Sequence, residues 1–187
     1  MTKTYLALGD SMSIDDYTGV AGGGAVAQFH HRLPGEWNLV DETFDGCTMA
    51  GVPTELRADL ITLTIGGNDL LLKQEHYLAG GIDDFRQEHR QLLQTIRQAN
   101  ADAIFVVGDI YAPQSPLTPE QFAGLEAANA IIKENVQAVD AVLAEIFLSF
   151  RRHEDEYLCF EIEPSLRGAQ VIAALFFAAF AASAQDA

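Results

Sequence analysis

Three short apolar runs, each halted by a tight-turn signal, constrain the fold of this chain more than any other feature. Thr4–Leu8 ends in Gly-Asp, the β-branched run Ile61–Ile65 ends in Gly-Gly, and Ala103–Val107 ends in Gly-Asp; apolar, β-branched runs bounded in this way read as strands. Between and after them lie segments of helical period: Gly24–Leu33, Ile82–Ala99 with apolar Ile82, Phe85, Leu92, Leu93 and Ile96, Pro119–Val142, and Ser165 to the end. Strands that alternate with helices form a parallel sheet covered on both faces. Adding Trp37–Val40 and Ile146–Phe150 as weaker strands gives an α/β chain with about five strands in a three-layer α/β/α sandwich. No repeat or Pro/Gly/Ser-rich linker divides the 187 residues, so residues 1–187 are expected to form one domain, large enough to bury roughly 70% of the unfolded surface.

In such sheets ligands bind beyond the carboxyl ends of the strands. There the chain carries Gly9-Asp10-Ser11-Met12-Ser13, Gly66-Gly67-Asn68-Asp69 and Gly108-Asp109. A serine directly after a strand presents its hydroxyl at the sheet edge with backbone amides close by, although a lone serine there more often caps a helix. Asn68, ending a second strand, adds an amide donor suited to a developing oxyanion.

With these two blocks the chain resembles the SGNH or GDSL hydrolases, named for the Ser, Gly, Asn and His of their sequence blocks. The resemblance follows the element order through nearly the whole chain and implies an SGNH-type, flavodoxin-like sandwich and hydrolysis of carboxylic esters. It implies Ser11 as nucleophile, with the N–H of Ser11, the N–H of Gly46 in Gly46-Cys47-Thr48 (Gly51 being the fallback) and the Asn68 side chain as oxyanion donors. The last block departs from the family. Pro164, Ser165, Gly168 and the apolar run from Val171 keep its frame, so the family's histidine position falls on Glu163 and its aspartate position on Phe160.

Three explanations stand open. Glu163 is the base, although an unperturbed glutamate lies about 2 pKa units below histidine and needs burial, with Glu161 and Asp10 nearby, to raise it. A histidine from elsewhere fills the place: His30, His31, His76, His89 or His153. Or hydrolysis is lost, and the scaffold binds an acylated or carbohydrate ligand. Arg167 would weaken the first explanation if it approached Glu163. Cys47 reads as a small buried thiol before it reads as a nucleophile, and Asp69 as a group that fixes its turn.

The remaining expectations come from composition. The balance of 11 Lys+Arg against 27 Asp+Glu, a formal charge of −16, disfavours nucleic acid and anionic membrane partners. Two cysteines suit reduced thiols, and the start "MTKTYLALGD" lacks a signal-peptide pattern, so a cytoplasmic place is expected. Val171–Ala184 is shorter than the ~18–20 residues of a membrane span and reads as a buried helix. Asp15-Asp16 and Asp83-Asp84 read as acidic helix starts rather than metal ligands, and no metal or cofactor is expected. The expected partner is a small-molecule ester with a small acyl group, since the chain leaves little length for a lid.

Overall fold

The computed structural model describes residues 2–183. Five strands, β1 (Lys3–Gly9), β2 (Trp37–Thr43), β3 (Leu60–Thr64), β4 (Ile104–Gly108) and β5 (Val142–Ala144), form one sheet in the order β2-β1-β3-β4-β5. Every pairing is parallel. The central strands are buried on both faces, and alternate residues belong to different cores. Tyr5, Ala7 and Val106 face the layer of α1 (Ala25–Arg32) and α8 (Leu166–Ser183). Leu6, Leu8, Ile61, Leu63, Phe105 and Val107 face α4 (Ile82–Ala99) and α5 (Pro119–Ala138). The apolar positions read from the sequence on α4 sit in this second core: Phe85, Leu92, Leu93 and Ile96 are buried, and Ile82 packs against them.

Shorter helices complete the chain: α2 (Gly67–Leu72), α3 (Gln74–His76) followed by a π-helical turn over Tyr77–Gly81, α6 (Ile146–Phe150) and α7 (Glu154–Tyr157). A hairpin of two-residue strands, β6 (Leu158–Cys159) and β7 (Glu163–Pro164), precedes α8.

Three boundaries differ from the sequence expectation, the first being β2, which runs to Thr43, three residues past Val40. Ile146–Phe150 is helix α6, and the fifth strand is Val142–Ala144 instead. The run "IFLSF" carries no period that separates a strand from one buried helical turn; its helical form is fixed by the Asp109 carboxylate, which accepts from the Phe147 N–H at 2.7 Å. Helix α5 therefore stops at Ala138, where Asp140 takes a left-handed φ of 54° before β5 begins. Its start was written in the sequence: Thr118 and Gln121 form a capping box with Pro119 at the first turn.

Helix α8 packs Ala169, Ile172, Ala173, Phe176 and Phe180 against the sheet and α1. The expected helix over Val171–Ala184 is observed as far as Ser183, but only one face of it is buried and Phe177 is exposed; Ala184 lies outside the described residues. Asp83 and Asp84 do open a helix, whereas the Asp15 carboxylate accepts from the Gly22 and Gly24 N–H groups and ties the glycine-rich loop. Among the described residues no cluster of His, Cys, Asp and Glu is arranged to hold a metal ion.

Candidate active site

The carboxyl ends of β1 and β3 meet at Gly9 and Thr64. Gly9 has φ 129°, and a Cβ there would lie 2.0 Å from the Thr64 carbonyl oxygen, so only glycine lets the two strands end this close together. The chain then turns. Asp10 accepts from the Met12 N–H at 3.2 Å, and the Ser13 hydroxyl is held by the Thr64 hydroxyl at 2.8 Å. Ser13 is thereby a fixed structural group, while Ser11, 8% exposed, opens onto a cavity.

The Asn68 amide, in the first turn of α2, also lines that cavity. Its Nδ2 donates to the Cys47 carbonyl at 2.9 Å, which leaves one amide hydrogen. Asp69 was expected to fix its own turn; its buried carboxylate instead accepts from the Met49 N–H of a distant loop at 3.1 Å. Asn68 and Asp69 together bind the loop that carries Gly46 to the end of β3. Gly46 adopts φ 73°. Neither the Ser11 nor the Gly46 N–H donates to a protein acceptor among the described residues. Cys47 is buried, and burial, with Asp10 and Asp69 nearby, pushes its thiol up to about 12; it is an inert thiol.

Glu163 comes to this site on the β6–β7 hairpin. Phe160 and Glu161, at its tip, both take left-handed backbone conformations, with φ 47° and 75°, a strain that persists only where surroundings impose it. They are imposed by the segment after β4: the Gln114 N–H donates to the Glu161 carbonyl at 2.9 Å, the Glu161 N–H to Gln114 Oε1 at 3.2 Å, and the Tyr111 hydroxyl to the Ile162 carbonyl at 2.6 Å. The Ser115 hydroxyl donates to the Glu161 carboxylate. Glu161 is thus occupied by the clamp, and Phe160, 76% exposed, sits outside the site.

Glu163 is 7% exposed, and its Oε2 has no hydrogen-bond partner among the described residues. Burial raises its pKa above the ordinary glutamate value, the Ser11 hydroxyl beside it acts in the opposite sense, and Asp45 adds to the rise. No aligned hydrogen bond yet joins Ser11 and Glu163. Asp10, also buried, is pushed up to about 7, first by burial and further by the Glu163 carboxylate, against hydrogen bonds from Met12 and Thr64. Arg167 does not relieve this acidic pair, because it reaches Glu156 at 3.5 Å.

The histidines have their contacts elsewhere. His30 bonds the Trp37 carbonyl at 3.0 Å, where β2 begins, and stacks with His31. His76 pairs with Asp84 at 2.7 Å, and His153 lies on the Tyr157 ring, 3.8 Å from Glu156. His89 is fully buried and stacked on Phe85.

The cavity itself holds about 360 Å³. Its walls are largely apolar: Leu70, Leu78 and Ile82 come from the segment after β3, Leu117 and Leu125 from α5 and its approach. Neither this space nor the Tyr111–Ser115 clamp is legible in the sequence, because both arise where segments distant in the chain face each other.

Residues 7–171 match the GDSL-like Lipase/Acylhydrolase family. Solved structures share the fold. A lipase from a goat rumen metagenome, Lip_vut3, is 23% identical with a TM-score of 0.82, over 95% of this chain and 97% of that one. A variant of an acetyl xylan esterase from Geobacillus stearothermophilus is 14% identical with a TM-score of 0.73, over 94% and 93% of the two chains. Phospholipase A1 from Streptomyces albidoflavus is 17% identical with a TM-score of 0.68, over 96% and 100%. No curated protein sequence matches. The sandwich, the strand-end turns and the family match converge: the chain belongs to the GDSL-like lipase/acylhydrolase family.

Proposed function

We propose that this protein is a carboxylic ester hydrolase that works through an acyl-enzyme at Ser11, with Glu163 as its base. The observation that carries the reading is the buried Glu163 carboxylate beside Ser11, with one oxygen unpartnered and no cation paired to it. A buried carboxylate with no other hydrogen-bonding task suits a proton acceptor. Ser11 Oγ attacks the ester carbonyl as its proton passes to Glu163. The oxyanion that forms is met by the Ser11 and Gly46 N–H groups and the free Asn68 amide hydrogen. Glu163 then gives its proton to the departing alcohol. A water attacks the acyl-enzyme, again through Glu163, and releases the acid.

An ordinary glutamate would forfeit roughly 3 kcal/mol of proton-transfer driving force relative to histidine. The raised pKa of Glu163 recovers part of it. Hydrolysis of p-nitrophenyl butyrate across pH tests the reading. Ser11→Ala is expected to lower kcat by about 10³ or more and Glu163→Gln by about 10²–10⁴. Glu163→His should keep or exceed the parent rate. The parent rate should rise with pH through a single ionisation above the ordinary glutamate range; full activity in Glu163→Gln would remove the base from this mechanism.

A further inference from the structure

We infer that the cavity beside Ser11 is an acyl-chain pocket, that it favours medium-length acyl chains over acetyl, and that Gly124 in its wall keeps open the space such a chain enters. This rests on Ser11 as the nucleophile. A cavity of about 360 Å³, within the roughly 300–1,000 Å³ of small-molecule pockets, exceeds what the small acyl groups expected from chain length would fill.

Three observations give the pocket its chemistry and direction. Asp10 and Glu120 are the charged residues of its lining, and no lysine or arginine lines it, so its occupant is an uncharged chain rather than a phosphate or carboxylate. Leu71 and Leu78 at its wall are 57% and 45% exposed, apolar surface that a bound chain would cover. Ser11 and Asn68 line the cavity while Gly46 and Glu163 do not. The departing alcohol must stand at the base that protonates it, which leaves the cavity to the acyl side.

Gly124 leaves that space open. It lies within α5, where glycine is the least favourable residue after proline, and it lines the cavity. A Cβ there would meet only the tip of Leu78, with Cδ2 at 3.2 Å. A side chain at this position would start toward Leu78 and narrow the space between α5 and that residue.

The test is a series of p-nitrophenyl esters from acetate to myristate. The parent kcat/KM should rise by up to about fourfold per added methylene from acetate into the medium-chain esters, while alkyl acetates lengthened on the alcohol side should show no such rise. In Gly124→Trp the decanoate-to-acetate ratio of kcat/KM should drop by more than about tenfold; Leu78→Trp, which fills the space from the opposite wall, serves if the first variant does not fold. A ratio that is flat or falls from acetate onward, or a gain on the alcohol side, overturns the proposal and leaves Ser11 catalysis intact. If instead Ser11→Ala is as active as the parent, the nucleophile reading fails and binding of 1-decanol decides the pocket. Binding to the parent that is lost in Gly124→Trp upholds it, and no binding to the parent overturns it.

Discussion

In the proposed mechanism Asn68 holds two tasks with one amide. One hydrogen anchors the Cys47 carbonyl at 2.9 Å, and the other is left for an oxyanion. Asn68→Ala should therefore lower kcat by about 10²–10³ with little change in KM, and should cost about 1 kcal/mol of stability for the lost anchor. Steady-state kinetics beside urea unfolding separates the two. A stability loss with unchanged kcat would leave Asn68 a loop anchor only. Asn68 and Ser11 were legible in the sequence because each follows a strand whose apolar run and turn signal are local. Glu163 was legible only as a position in a frame. What surrounds it, Asp45, Asp10 and the clamp on its hairpin, comes from chain segments up to about 150 residues away, and no local pattern records such a meeting.

The hairpin of β6 and β7 shows how an element of two-residue strands can hold the proposed base in place. It has little pairing of its own, only Leu158 with Pro164 and Cys159 with Glu163. Its rigidity comes from Tyr111, Gln114 and Ser115, which grip its tip through backbone groups and Glu161. The grip imposes left-handed backbone on Phe160, whose ring is exposed and makes only an edge contact with Tyr17 at 6.2 Å. Phe160→Gly should relieve this strain and raise the unfolding free energy by about 0.5–1 kcal/mol, read from the urea midpoint with activity retained. A loss of stability would mean that the Tyr17 contact outweighs the strain. The elements with a full period, α4 and the three central strands, were readable from the sequence within one or two residues. Helix α6 was not, because a five-residue apolar run has no period to read and its shape depends on Asp109, 38 residues earlier.

Across the whole molecule, buried ionisable groups set opposing demands. Asp10 and Asp109 are pushed up by burial to about 7 and about 6, and Asp69 and Glu163 are raised as well. Each binds its proton more tightly folded than unfolded, so its stabilising effect is present at low pH and is lost as pH rises from about 4 toward about 7. His89 runs the other way: burial lowers it to about 4, and the stability tied to its neutral form is lost as pH falls from about 6.5 toward about 4. Thermal unfolding should therefore give a higher Tm at pH 5 than at pH 8, and His89→Leu should flatten the loss below pH 5; a Tm that climbs steadily to pH 8 would contradict these burial effects. Catalysis through Glu163 demands the ionised carboxylate that folding disfavours, so the rate should rise over the range in which stability declines. Because the hairpin is gripped at its tip and, among the described residues, not through the Glu163 carboxyl, the proposed mechanism implies that exchanging this one side chain would retune the working acidity while the frame that aims it stays in place.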